Sequence, residues 1–318
     1  MNNISILIGN VLFICISAVF MPVCAQTKVT LDKKPHVESF KPTDSAIGTT
    51  KYTDAELNRY QQHLSQAYQA LLSDSLLRAT DEFTQATDLL PNHPSNAEAF
   101  FQLGQIAEQR EQYRQAADYY RKSVRINENL AKAYSRKGAI NIILKNYDTA
   151  LRDYSNYISL RPKDYDARIY RGHAYQQLRR FGEAQADYQY ILNADPFNAK
   201  ATMAMATLDL DRGNAEEALA TMDKLILRFP DNATYYELRG EIDMELRRLE
   251  LASYDFNKAI ELEPDNAAHY LKRAALYFRQ SNGPLAQADL DKAATLGASK
   301  EQINAVIYKA NSDKRIKQ

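Results

Sequence analysis

Three acidic side chains are the most suggestive candidates for chemistry in this sequence. Glu237, Glu241 and Glu245 recur every four residues, so on a helix they would share one face. Carboxylates at this spacing could bind a divalent cation or act in acid–base catalysis. Either role would need a histidine or a second helix of ligands converging on them, and no motif in the sequence supplies one. The run therefore does not by itself indicate an active centre.

The other reactive side chains form no recognisable catalytic or metal-binding motif. The five histidines, at positions 36, 63, 93, 173 and 269, are scattered along the chain, and both cysteines, Cys15 and Cys24, lie near its start. The sequence contains no H-E-x-x-H motif, no glycine-rich phosphate loop, no G-x-S-x-G motif and no EF-hand loop. We therefore predict no catalytic residue, no metal site and no cofactor, and interpret the protein as a non-enzyme.

The elements that would position these residues repeat along the chain. Alanine occurs at 79, 116, 150, 184, 218, 252 and 286, with one gap of 37 residues followed by five gaps of 34. Seven copies fit this period, at 60–93, 97–130, 131–164, 165–198, 199–232, 233–266 and 267–300. The eighth residue of each copy is small, the twentieth is alanine and the twenty-fourth is large. This pattern predicts two close antiparallel helices per copy, stacked into a solenoid.

The repeat resembles the tetratricopeptide repeat family. That family has a large residue at position 4, small residues at 8, 20 and 27, and proline at 32, and Gly138, Ala150, Tyr154 and Pro162 illustrate the match. The sequence departs from the family in having no tryptophan at position 4. The resemblance covers 60–300 and implies an all-α fold, a right-handed α-α superhelical solenoid.

The ends of the chain differ from the repeats. Residues 2–27 carry no charge, and small residues around Ala25 suit signal peptidase. We predict a signal peptide over 1–25, a flexible polar tether over 26–52, the seven-repeat solenoid over 53–300, a capping helix over 301–311 and a frayed tail over 312–318. An uncleaved membrane anchor, or a lipid on Cys24, is the alternative for the leader. The protein is thus expected to be exported, to the periplasm or the extracellular space.

Charge and aromatic content narrow the class of partner. Forty basic and forty acidic side chains cancel, which gives no electrostatic basis for binding nucleic acid. Most of the 21 tyrosines are assigned to the repeat core rather than to base stacking. We therefore predict a protein or peptide partner, no nucleic acid, and membrane contact only if the leader is retained or lipidated.

The resemblance also implies where a partner binds. In the family, positions 2, 5, 9 and 12 of the first helices line a concave groove. The residues predicted to line it here are Ile169, His173, Met203, Thr207, Leu210, Glu237, Glu241, Met244, Leu271 and Phe278. Apolar anchors rimmed by acids suit an extended or helical peptide. Several of them, especially at position 12, could instead pack between adjacent first helices.

Two functions fit these observations. The first is a non-enzymatic scaffold or adaptor that binds a peptide or protein segment in the concave groove. The alternative is a structural component of a cell-envelope assembly, bound through the convex face or the termini. Groove mutations would abolish binding in the first case and leave it intact in the second.

The leader prediction has a direct test. Intact-mass spectrometry of the protein from its natural host is expected to give the mass of a chain that begins at Gln26, because cleavage follows Ala25. A mass corresponding to the full 318 residues would indicate an anchor instead.

Overall fold

The computed structural model describes residues 52–316, with side chains described up to residue 311. Over that range the protein consists of α-helices and contains no β-strand, so the predicted all-α fold class is confirmed. The predicted signal peptide and all of the predicted tether except residue 52 lie outside the described residues.

The chain divides into two compact units, whose described parts are residues 52–187 and 188–316. The first contains α1 (Asp54–Leu72), α2 (Leu76–Leu89), α3 (Asn96–Gln109), α4 (Tyr113–Ile126), α5 (Ala131–Ile143), α6 (Tyr147–Leu160), α7 (Tyr165–Gln177) and the start of α8 (Phe181–Ala194). The second contains the rest of α8, then α9 (Ala199–Asp211), α10 (Ala215–Arg228), α11 (Ala233–Glu245), α12 (Leu249–Leu262), α13 (Ala267–Arg279), α14 (Gly283–Thr295) and α15 (Lys300–Ile316).

Within each unit the helices follow the predicted repeat. The first and second helices of one repeat pack together as a hairpin, as in α3 with α4 and α11 with α12. The second helix then contacts the first helix of the following repeat, as in α4 with α5 and α12 with α13. The alanines at position 20 are all fully buried, which explains why this position admits only a small side chain.

The turn inside each hairpin has one backbone conformation, repeated seven times. The residue at position 15 is always left-handed, with φ between 57° and 87°. These residues are Asp74, Glu111, Lys145, Arg179, Gly213, Arg247 and Ser281. The following amide closes the turn by donating to the carbonyl at position 11, as Asn146 N does to Asn141 O at 2.7 Å. Because glycine occupies only one of the seven positions, the sequence pattern did not reveal this turn.

The small residue at position 8 allows the aromatic ring at position 24 of the same repeat to lie against the helix backbone. A Cβ atom added to Gly104 would be 2.5 Å from the Tyr120 ring, and one added to Gly138 would be 2.9 Å from the Tyr154 ring. The ring covers its own repeat, and Tyr154 also stacks on Tyr170 of the next repeat, with ring centroids 5.5 Å apart.

A buried ion pair joins the two helices of four repeats. A cation at position 7 binds an aspartate at position 23, sixteen residues later. The pairs are Lys137–Asp153, Arg171–Asp187, Arg239–Asp255 and Arg273–Asp289. Each of the three arginines also donates to a side chain on the preceding repeat, at Ser155, Asp223 and Asn257 respectively. Sequence reasoning did not find these pairs, although their spacing of sixteen residues is visible in the sequence.

Side-chain caps begin the first and last described helices. Thr53 and Glu56 form a capping box at the start of α1, with Thr53 N donating to the Glu56 carboxylate at 2.8 Å. Ser299 and Gln302 make the matching pair of hydrogen bonds at the start of α15. This last helix packs against α13 and α14, and it extends beyond residue 311, where the capping helix was predicted to end.

The contact between positions 8 and 24 predicts a specific loss of stability. Gly138→Ala is expected to destabilise the protein by about 1–3 kcal/mol, because the new methyl group overlaps the Tyr154 ring. Gly182→Ala is the matched control, since a Cβ atom there meets nothing within 4 Å and alanine favours a helix. Urea-induced unfolding of both variants checks this. Equal stabilities would show that the ring moves aside without cost.

Candidate functional site

The ten residues predicted to bind a partner are divided between the two units. Ile169 and His173 lie on α7 in the first unit. The second unit holds the other eight, which are on three first helices: Met203, Thr207 and Leu210 on α9, Glu237, Glu241 and Met244 on α11, and Leu271 and Phe278 on α13. Their role in binding stays a prediction.

The two residues of the first unit are both buried. Ile169 and His173 each expose 4% of their surface. Burial lowers the pKa of His173 to about 4, so its imidazole is neutral at physiological pH. A neutral, buried histidine is suited to a polar contact within the protein and supplies no positive charge for a partner.

Burial also separates the six uncharged residues predicted in the second unit into two groups. Thr207, Leu210 and Met244 are buried, and Thr207 donates its hydroxyl hydrogen to the carbonyl of Ala204 at 2.8 Å. Met203, Leu271 and Phe278 remain partly exposed. We define these three side chains as the apolar face of the second unit. They are the predicted apolar residues that a partner could contact without any rearrangement of the protein.

The acidic run Glu237, Glu241 and Glu245 is paired with bases on the next first helix, α13. Each carboxylate on α11 contacts its own cation. The pairs are Glu237 with His269 at 2.5 Å, Glu241 with Lys272, and Glu245 with Arg279 at 3.0 Å. Lys272 also lies 3.9 Å from Glu237, which links the pairs into one network. The acids therefore join two repeats and add little net charge to the surface.

His269 is the centre of this network. Its ring is buried, with Nδ1 2.5 Å from Glu237 and Nε2 3.1 Å from Glu263 at the end of α12. Since both ring nitrogens face carboxylates, only the doubly protonated imidazolium can donate to both. The geometry thus favours a positively charged His269.

The ionisation of the pair follows from burial and hydrogen bonding. Burial by itself would lower the pKa of His269, but the hydrogen bonds and charges of Glu237 and Glu263 outweigh it and raise the pKa above its ordinary value. Burial likewise opposes the charge of Glu237, yet the hydrogen bond from His269 and the charge of Lys272 hold its pKa below the usual range. Both shifts favour the charged forms of the pair.

Among residues 52–316, no group of three or more histidine, cysteine, aspartate or glutamate side chains is arranged to hold a metal ion. Over the same range, no helix combines the length and apolar character required to span a bilayer.

Comparison with known proteins identifies the repeat. Family models described as tetratricopeptide repeats match residues 97–130, 144–199, 177–242 and 233–266. The chain belongs to the tetratricopeptide repeat family. Proteins built from tetratricopeptide repeats generally serve as protein–protein interaction scaffolds and are typically non-enzymatic, which is the general role that the comparisons support here.

Solved structures of other proteins have a similar fold. A protein from Parabacteroides merdae is 22% identical, with a TM-score of 0.71 over 80% of this chain and 99% of its own. A protein from Thermus thermophilus is 19% identical, with a TM-score of 0.51 over 57% of this chain and 98% of its own. PilW, described as a widely conserved type IV pilus biogenesis factor, is 19% identical, with a TM-score of 0.52 over 66% and 98% of the two chains. At these identities the similarity concerns the fold alone.

A curated relative matches a shorter stretch. Rat sperm-associated antigen 1 is 28% identical over 106 residues, which are 33% of this chain and 12% of that protein. The chain thus spans about an eighth of the relative's length.

Sequence reasoning missed the basic partners of the acidic run. His269, Lys272 and Arg279 lie 32, 31 and 34 residues after the acids that they bind. A search for opposite charges about one repeat apart could have found them, since adjacent first helices lie side by side at this spacing.

The histidine network predicts a characteristic pH dependence. Because folding raises the pKa of His269, its contribution to stability is complete below the unfolded-state pKa of about 6.5 and is lost as pH rises through the folded-state pKa. His269→Gln is expected to lower the free energy of unfolding by about 1–3 kcal/mol near neutral pH and to reduce the dependence of stability on alkaline pH. Urea-induced unfolding between about pH 6 and pH 9 measures both effects.

Parallel pH curves for the wild type and His269→Gln would contradict the prediction. So would a His269 pKa of about 6.5 or lower, measured by NMR on the folded protein.

Proposed function

We propose that this protein is a non-enzymatic scaffold that binds a protein or peptide segment through the first helices of its second unit. The contact surface would be the apolar face, Met203, Leu271 and Phe278, together with the paired charges of α11 and α13. These residues would carry out, in this protein, the general scaffold role of the family.

One observation carries the proposal. Three apolar side chains on first helices of the second unit remain partly exposed, whereas the acids of α11 are already bound to bases of α13. Because those charges are satisfied internally, a partner gains little by bringing a countercharge. Burial of apolar surface is then the main source of affinity, and an apolar or amphipathic segment is the expected partner.

The repeat architecture supports binding by a preformed surface. Hairpins joined by buried rings, ion pairs and identical turns leave little backbone to be ordered when a partner binds. A lower ordering cost leaves more of the interaction energy available as affinity.

We also propose that the protein acts outside the cytoplasm. The uncharged segment 2–27 and the small residues before Gln26 support this location. The mass measurement described above tests whether the leader is cleaved.

Variants that remove apolar surface test the binding site. The tagged full-length protein is purified with its partners from its natural host, and retained proteins are identified by mass spectrometry. Changing Met203→Gln and Phe278→Gln together is expected to reduce capture of the main partner at least about tenfold, while circular dichroism stays unchanged.

The matched control changes Leu251→Gln and Tyr254→Gln, two side chains of α12 that are 55% and 63% exposed. This variant should capture the partner as the wild type does. Normal capture by the first variant together with loss in the control would reject the proposed site and favour attachment through the second helices.

A further inference from the structure

The end of α10 departs from the repeat pattern at three consecutive positions. At position 29 the other repeats have polar residues, namely Asp88, Arg125, Ser159, Asn193, Glu261 and Thr295, whereas this repeat has Leu227. At position 30 the others are apolar, namely Leu89, Ile126, Leu160, Ala194, Leu262 and Leu296, whereas this repeat has Arg228. Phe229 follows at position 31, where most of the others are polar or glycine. The polarity of this turn is therefore inverted.

A fourth departure lies in the connection before α9. Position 33 is polar in the other repeats, as Asn92, Asn129, Lys163, Asp231, Asp265 and Ser299, but here it is Phe197. Packing does not explain these choices, since the exposed fractions are 65% for Phe197, 86% for Leu227 and 38% for Phe229. Local exceptions of this kind, without a gain in packing, are expected at functional sites.

The structure brings the aromatic rings and the cation together. The guanidinium carbon of Arg228 lies 4.1 Å from the centre of the Phe197 ring and 5.6 Å from that of Phe229. Phe229 in turn contacts the buried Tyr235, with ring centroids 6.2 Å apart. We name Phe197, Leu227, Arg228 and Phe229 the Arg228 patch.

The backbone around the patch is well defined. Asp195 accepts a hydrogen bond from Phe197 N at 3.1 Å, and Asn198 caps α9 by accepting from Ala201 N at 3.0 Å. The exposed Phe197 ring is therefore held in an ordered turn, so little entropy is lost when it contacts a partner.

The guanidinium of Arg228 differs from the other stacked guanidiniums in residues 52–316. Arg171, Arg239 and Arg273 also lie over aromatic rings, but each is bound to an aspartate. Arg180 lies 4.7 Å from the Tyr175 ring and binds Glu183 at 2.8 Å. Within the described residues, no carboxylate lies within ion-pair distance of Arg228. Stacking occupies the face of the guanidinium and leaves its N–H edge available to a carboxylate.

From these observations we propose that the Arg228 patch is a second docking surface, which binds a protein segment carrying a carboxylate side chain beside an apolar one. The carboxylate would accept hydrogen bonds from Arg228, and the apolar side chain would lie on Phe197 and Leu227. The patch is formed by the end of α10 and the connection before α9, so it does not include the apolar face used by the proposed function.

Two capped peptides test the proposal on the full chain. One is Ser-Leu-Glu-Phe-Ser, and its twin has glutamine in place of glutamate. NMR follows the Arg228 side-chain Nε–H during titration. The glutamate peptide is expected to shift this resonance and to bind about tenfold more tightly than its twin, because the hydrogen bond to a charged acceptor is lost with glutamine.

Variants assign the effect to the patch. Arg228→Gln should make the two peptides bind equally, and Phe197→Ala should weaken both. Arg180→Gln is the matched control and should change neither, since that guanidinium is already paired. The Met203→Gln and Phe278→Gln variant should retain the preference for the glutamate peptide, which keeps failure of this proposal distinct from failure of the proposed function.

Several results would overturn the proposal. Equal affinity of the wild type for the two peptides, or a preference for glutamate that survives Arg228→Gln, would remove the role of the guanidinium. Absence of any shift at millimolar peptide would reject the surface itself. Self-association or vesicle binding that is lost in Leu227→Gln would show that the patch serves a second copy of the chain or a membrane instead.

Discussion

The contact between a small residue at position 8 and a large side chain at position 24 is the constraint on which this architecture depends. Position 8 is glycine in four repeats, and a phenol or phenyl ring lies against Gly104, Gly138 and Gly240. The ring can be this large only because the helix beneath it has no side chain at that point. The buried alanine at position 20 brings the helices equally close from the other side. Together these contacts fix the distance between the helices of a hairpin, and the spacing of the surface residues follows from it.

Polar interactions add specificity to this apolar frame. The cation at position 7 and the aspartate at position 23 connect two helices of one repeat, and the arginines reach back to the repeat before. Burying such a pair contributes little net stability compared with apolar packing, but breaking it is costly. We interpret these ion pairs as contacts that fix the register of neighbouring hairpins. The network around His269 does the same between α11 and α13.

Function then depends on what these structural pairs leave exposed. Once Glu237, Glu241 and Glu245 are bound to bases, the first helices of the second unit present the side chains of Met203, Leu271 and Phe278 without a strong charge. The Arg228 patch is the opposite case, with a cation that has no carboxylate partner among residues 52–316 and lies between two exposed rings. One surface therefore favours an apolar segment and the other an acidic one, so a single chain could hold two different partners.

The sequence by itself determined the fold class and the period of the repeats. These features can be read directly from residue types that recur with a period of 34. It did not determine the burial of Ile169 and Leu210, the left-handed turns, or the partners of the acidic run. Those depend on how one hairpin stacks on the next, because Glu237 meets His269 only when two helices separated by a third in the chain become neighbours. The sequence shows the carboxylates of the acidic run but not the bases that bind them. Because those bases come close only through tertiary packing, the structure alone decided which charges are available to a partner.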